Sequence, residues 1–182
     1  MENKKMKLHA IIITFLALPL IAASVFACNN DKKMKAETKN EIVAAGSDTL
    51  IYNFRDASVP PQYHRSYTIR VTPAQVYFTI DVYGKVITED SLELTKTAYA
   101  SFATAINDLH IKTKKDENGK PCTGGTSDKL DLYAGSSKEV KGYIYYCGGE
   151  KNGDLAGDVA AAASLFKALI PDLGKRIEAT RK

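Results

Sequence analysis

Between residues 63 and 83, "YHRSYTIRVTPAQVYFTIDVY", apolar and polar side chains alternate on both sides of Thr72-Pro73-Ala74-Gln75. A period of two predicts strands, and the Pro-containing tetrad predicts the turn of a hairpin. With the turn there, Val71 faces Val76, Ile69 faces Phe78 and Tyr67 faces Ile80. All six fall on one face, so the register is self-consistent. The other face carries His64, Ser66, Thr68 and Arg70 across from Tyr83, Asp81, Thr79 and Tyr77. This is the pattern of a sheet with one apolar and one polar surface.

The same period recurs at both flanks. "TLIYNFR" aligns Leu50, Tyr52 and Phe54, and a short further strand is expected at Lys85–Thr88. In "KLDLYAGSSKEVKGYIYYC", Leu130 and Leu132 precede a turn at Gly135-Ser136-Ser137, and Val140, Gly142, Ile144 and Tyr146 follow it. Two segments switch to helical spacing. "KTAYASFATAINDLH" places Tyr99, Phe102, Ala103, Ile106 and Leu109 on one stripe behind a cap at Thr95 or Thr97. "GDVAAAASLFKALIP" does so with Val159, Ala162, Ala163, Phe166 and Leu169, capped by Asp158 and stopped before Pro171. The last residues, "DLGKRIEATRK", predict one basic turn of helix on the solvated surface. The expected fold class is α+β: a single two-layer domain over residues 47–182, a mainly antiparallel sheet of about five strands in the order βββαββα, helices packed on one face.

Ahead of the domain the pattern is different. Residues 1–27 run from a basic head, Lys4, Lys5 and Lys7, through an apolar stretch, Leu8 to Leu20, into small residues, Ala22, Ala23, Ser24 and Ala27. That order is a secretory signal peptide. Pro19 interrupts the apolar run, which stays well below the roughly 20 residues a spanning helix needs. Val25-Phe26-Ala27-Cys28 then resembles the lipobox of bacterial lipoprotein precursors, with Phe26 bulkier than the usual small residue. The resemblance covers only about thirty residues. It implies cleavage before Cys28, acylation of that cysteine, and a membrane partner through the acyl chains. Asn29, where Asp would favour inner-membrane retention, implies the outer membrane. Residues 28–46 are polar and charged and predict a flexible tether.

With Cys28 committed to lipid, Cys122 and Cys147 remain as a pair in an oxidising compartment, where a disulfide is expected. Extending the second hairpin back from its turn brings Cys147 opposite residues 124 to 125, within reach of Cys122. Removing residues 1–27 takes three Lys and one Glu from the 25 basic and 21 acidic residues, leaving 22 against 20. Such a balance gives no electrostatic case for a nucleic-acid partner.

Catalytic material is sparse. The mature domain has only His64 and His110, with no acidic residue at metal-ligand spacing, so no metal site is expected. "CGGEKNGDLAG", residues 147–157, has the glycine spacing of a phosphate loop, but Asp154 and Leu155 stand where Lys and Ser/Thr are needed. It reads as a flexible connection, and neither nucleotide nor other cofactor is expected. "KKDENGKPCTGG", residues 114–125, reads as a turn-rich loop without the oxygen ligands of a calcium site.

The sharpest candidate is "SVPPQYHRSY", residues 58–67, where Pro60-Pro61 stiffens the approach to Tyr63, His64 and Arg65. The register sets His64 opposite Tyr83 and diagonal to Asp81, a His-carboxylate arrangement usable for acid/base work. The same face offers Arg70, Tyr77 and Tyr83, side chains of the kind enriched at interfaces, and Tyr63 and Arg65 from the adjoining segment complete the expected binding surface. The expected function is that of a non-enzymatic cell-envelope lipoprotein binding a protein, peptide or glycan. A small envelope hydrolase using His64 with Asp81, and a structural envelope component, stay open as alternatives.

Overall fold

The computed structural model describes residues 49–116, 123–135 and 137–181. The expected signal peptide, Cys28, the tether and Cys122 lie outside the described residues. Strands β1 (Leu50–Arg55), β2 (Ser66–Val71), β3 (Gln75–Val82) and β4 (Lys85–Glu93) are followed by helix α1 (Lys96–Asp108). Then come β5 (Lys112–Thr113), β6 (Thr126–Ala134), β7 (Ser137–Cys147), β8 (Glu150–Gly153), β9 (Leu155–Ala156), α2 (Val159–Ala168) and α3 (Leu173–Glu178).

Seven strands form one sheet in the order β4-β3-β2-β1-β6-β7-β8, every pair antiparallel, and β5 pairs with β9. The α+β class is therefore correct, and the strand number exceeds the five expected. The β2–β3 register is the expected one, with Tyr67 opposite Ile80, Ile69 opposite Phe78 and Val71 opposite Val76. The second hairpin also falls in place: Leu130 faces Gly142, Leu132 faces Val140, and Thr126 faces Tyr146, leaving Cys147 at the level of residue 125.

The apolar face of the sheet and the helical stripes share one core. Thr95 Oγ1 accepts from Ala98 N at 3.2 Å and Asp158 from Ala161 N at 2.9 Å, so each long helix starts on a side-chain oxygen that satisfies an orphan amide. Tyr99, Phe102, Ala103 and Ile106 of α1 and Val159, Ala162, Ala163 and Phe166 of α2 are buried. Small Ala162 and Ala163 allow Phe166 to reach the sheet. Its ring stacks on Tyr52 at 5.6 Å and meets Phe102 edge-on at 5.0 Å. Phe166 thus joins sheet and both helices, and a side chain of that size contributes about 1.5–3 kcal/mol by leaving water.

Three expectations about secondary structure change. β4 runs to Glu93 instead of ending near Thr88, although Glu89, Asp90 and Ser91 are poor strand formers; pairing with β3 carries them, and charge is tolerated because β4 is an edge. The glycine-rich segment 147–157 is not a loose connection. Gly148 and Gly149 take φ of +59° and +87°, the pair of left-handed residues that a tight hairpin turn requires, and fold β8 back onto β7. The C-terminal turn is anchored instead of solvated: Leu173 and Ile177 of α3 pack against the core, and Arg176 donates to Asp90 of β4 at 2.5 Å. Among the described residues no helix is long and apolar enough to cross a membrane.

Candidate functional site

The segment between β1 and β2 is held closed by its own polar groups. Asp56 accepts from Ala57 N and from Arg65 N, both at 2.8 Å, while its own amide donates to Ser66 Oγ at 3.1 Å. Pro60 O accepts from Tyr63 N at 2.9 Å, closing the turn that Pro60-Pro61 starts. The segment therefore folds over the end of the polar sheet face. His64, Ser66 and Asp81 beneath it are buried, at 4%, 1% and 6% exposure, where an open surface was expected.

Opposite lies the β3–β4 turn, in which Tyr83 and Gly84 have φ of +49° and +86°. Glycine takes this conformation freely, whereas for tyrosine it costs on the order of 1–3 kcal/mol. The surroundings hold it there. The Tyr83 ring stacks on His64 with centroids 3.9 Å apart, its amide donates to His64 Nδ1 at 3.3 Å, and its hydroxyl donates to the carbonyl of Val59. Asp81 Oδ1 accepts from Gly84 N at 2.7 Å and fixes the rest of the turn.

The expected contact between His64 and Asp81 is not made. Ser66 lies directly opposite Asp81, as the register predicts, and the second oxygen of Asp81 takes Arg55 at 3.3 Å. His64 spends its nitrogens on the Tyr83 amide and on Ser66 Oγ, 3.4 Å from Nε2. Accepting at Nδ1 places the proton of the neutral ring on Nε2. The pair sits at one end of the sheet without forming an acid/base couple.

Arg65 is likewise not a surface residue. It is 5% exposed, and its guanidinium donates to Thr180 Oγ1 at 2.7 Å, to the Thr180 carbonyl, to Pro61 O at 3.1 Å and to His64 O at 2.5 Å. It ties the C-terminal residues to the β1–β2 segment. Between them opens a groove of about 440 Å³, lined by Pro61, Arg65, Val82, Ile87, Thr88, Ala179 and Thr180. Around this corner lie Tyr63, Tyr83, Val86 and Ile87, exposed to 58%, 56%, 53% and 40%; with Tyr143 they are the large exposed apolar side chains among the described residues.

Arg70 and Tyr77 form a separate patch, the guanidinium carbon 3.8 Å from the ring centroid. Tyr77 OH also donates to Gln75. From Arg70 to His64 the strand climbs about 20 Å at roughly 3.3 Å per residue. The five expected binding residues thus divide into Tyr63 and Tyr83 at the corner, Arg65 buried, and a self-satisfied Arg70–Tyr77 stack.

A buried polar network was not foreseen. Tyr52 OH donates to Asp128 Oδ1 at 2.6 Å, and burial raises the Tyr52 hydroxyl far above its usual range. Burial also pushes Tyr67 up to about 12, and burial followed by the charge of Asp128 pushes Tyr146 up to about 12. Asp128 falls on the apolar face opposite Phe54 of β1; the signal available in sequence was a carboxylate in phase with the core positions Leu130 and Leu132. Cys147 Sγ lies 3.9 Å from the carbonyl oxygen of Thr123, the residue after Cys122. Among the described residues no group of three or more His, Cys, Asp or Glu is arranged to hold a metal. No protein-family model, curated protein or solved structure matches this chain.

Proposed function

We propose that this protein is a bacterial cell-envelope lipoprotein, acylated at Cys28 after loss of residues 1–27, that binds a partner non-enzymatically through the corner at the β3–β4 turn. The observation that carries the binding role is the gathering of Tyr63, Tyr83, Val86 and Ile87 at one end of the sheet beside a groove. Exposed apolar clusters rimmed by polar residues mark interaction sites. Rigid tyrosines suit a contact surface because they bring large area at small entropic cost. The Arg65 and Asp56 contacts supply the rigidity, since they fix the backbone from which these side chains project.

The anchor rests on the order of basic head, apolar run and Ala27-Cys28, and places the domain on a tether at the outer membrane. Cys122 and Cys147 form a disulfide in this reading, supported by the closeness of Cys147 to Thr123. Intact mass of protein extracted from native envelopes and alkylated without reduction tests both: the expected species lacks residues 1–27, carries acyl chains and takes no alkyl group. A non-acylated species alkylated at all three cysteines sinks the anchor and the bridge together. The surface is tested by the variant Tyr63→Ser/Tyr83→Asn/Val86→Thr/Ile87→Thr, in which Asn suits the left-handed position. Folded, it is expected to lose the complex that formaldehyde traps in envelopes; a folded variant that keeps it removes the surface from consideration.

A further inference from the structure

β4 is nine residues long, stands at the end of the seven-stranded sheet, and pairs on one side only, with β3. An exposed edge of that length presents unpaired amides and carbonyls, a template for another strand. Among the described residues nothing pairs with its far side. Its side chains form an ordered row. Val86 and Ile87 are exposed at the end next to Tyr83, and Glu89, Ser91 and Glu93 are exposed along the rest.

The charges of that row are unequal. Asp90 is taken by Arg176 of α3, which holds its carboxyl below the ordinary carboxylate range through their hydrogen bond. Glu89 and Glu93 face neutral Thr79 and Gln75 on β3, and neither forms an ion pair among the described residues. Both stand on the polar face, about 13 Å apart at roughly 3.3 Å per residue. The same charges oppose pairing with a second copy. Symmetric antiparallel registers centred on Glu89 or Asp90 set like charges against each other, which destabilises a sheet. The bulge beside Ile87, where Asp81 pairs with Val86 and Ile80 with Thr88, further disfavours symmetric pairing.

We infer that β4 is a docking edge for an extended segment of a different protein that carries two basic side chains four residues apart and apolar side chains beyond them. The added strand completes the sheet through its backbone, places Lys or Arg against Glu89 and Glu93, and covers Val86 and Ile87. This deepens the binding role proposed above and rests on it.

The probe is a fluorescein-labelled peptide, Lys-Thr-Val-Thr-Lys-Thr-Val-Val-Glu, whose antiparallel alignment sets its lysines against Glu93 and Glu89. It is compared with the charge-reversed Glu-Thr-Val-Thr-Glu-Thr-Val-Val-Lys by anisotropy on the full-length chain at low salt. The basic peptide is expected to bind about tenfold more tightly, in keeping with two cross-strand charge pairs. The Glu89→Lys/Glu93→Lys variant is expected to reverse the preference.

Two N-methylated forms of the basic peptide, at its odd and at its even positions, read the backbone. An added strand turns only alternate amides toward β4, so one form loses binding by thirtyfold or more and the other stays within about threefold. Equal tolerance of both forms overturns strand addition, as does the absence of peptide binding. A dimer formed through β4, detected by sedimentation and abolished by Glu89→Lys, overturns the choice of occupant. Failure of the peptides while the corner variant still loses its envelope complex rejects the edge and spares the corner; peptide binding that persists in the corner variant supports the edge alone.

Discussion

Replacing Arg65 tests how the corner is held together. The side chain makes four hydrogen bonds to neutral oxygens, two of them on Thr180, and forms no ion pair among the described residues. Bonds from a charged donor are worth about 1.5–3 kcal/mol each. Their sum overstates the effect, because burying a guanidinium without a carboxylate carries a desolvation cost of several kcal/mol, and the freed oxygens at the groove regain water. The expected net loss for Arg65→Met is about 2–3 kcal/mol, or a fall in Tm of roughly 10 °C. Arg65→Lys keeps the charge without the planar fork and should recover less than half of it. Urea unfolding followed by far-UV circular dichroism and by tyrosine fluorescence, in a chain with ten Tyr and no Trp, gives the values directly. A cycle with a chain ending at Ala179 isolates the tie to Thr180. If the tie carries the effect, the two changes together cost at least 1 kcal/mol less than their sum. Additivity within about 0.5 kcal/mol, the behaviour of independent sites, would refute it.

Other expectations concern the core. Tyr67 is held by burial at about 12, above the roughly 10 of an unfolded tyrosine, so the native state keeps a proton that the unfolded chain gives up. Its contribution is complete below pH 10 and lost as pH rises toward 12, on the order of 2–3 kcal/mol; Tyr52 and Tyr146 add in the same direction. Denaturant unfolding at pH 9 and pH 11.5 should differ accordingly, and equal stability at both contradicts the network. Phe166→Ala should cost about 3–5 kcal/mol, because one cavity opens between Tyr52 and Phe102; a cost below about 1 kcal/mol would mean the helices do not meet there. Gly142→Val should cost at least about 2 kcal/mol, since even a Cβ at that position would sit 2.6 Å from Leu155 Cδ2. A variant of unchanged Tm would contradict the close approach of the β8–β9 segment to β7.

What could be read from the sequence was what periodicity controls. Alternation placed Tyr67, Ile69, Val71, Val76, Phe78 and Ile80 on one face with the right partners, because a slip of one residue would turn all six outward. Helical spacing and the Thr95 and Asp158 oxygens located α1 and α2 for a similar reason. β8 escaped because Glu150, Lys151 and Asn152 carry no strand preference; only the Gly148-Gly149 pair signalled a turn. At the site, the level of His64 and Tyr83 was legible from register and their chemistry was not. Register brings two residues to one height but does not choose partners, and Arg55, remote in the hairpin pattern, claimed Asp81. Arg65 was misplaced for the same kind of reason, since its acceptors on Thr180 lie 115 residues along the chain.

The most direct test of the proposed role is photo-crosslinking in intact envelopes, with p-benzoylphenylalanine in turn at Tyr63, Tyr83 and Ile87 and, as controls, at Ser101 of α1 and Lys175 of α3, which are exposed elsewhere. A discrete adduct of one mass from the corner positions, absent from both controls, is the result expected of a binding corner. No adduct at the corner, or the same set of adducts from all five positions, would contradict it.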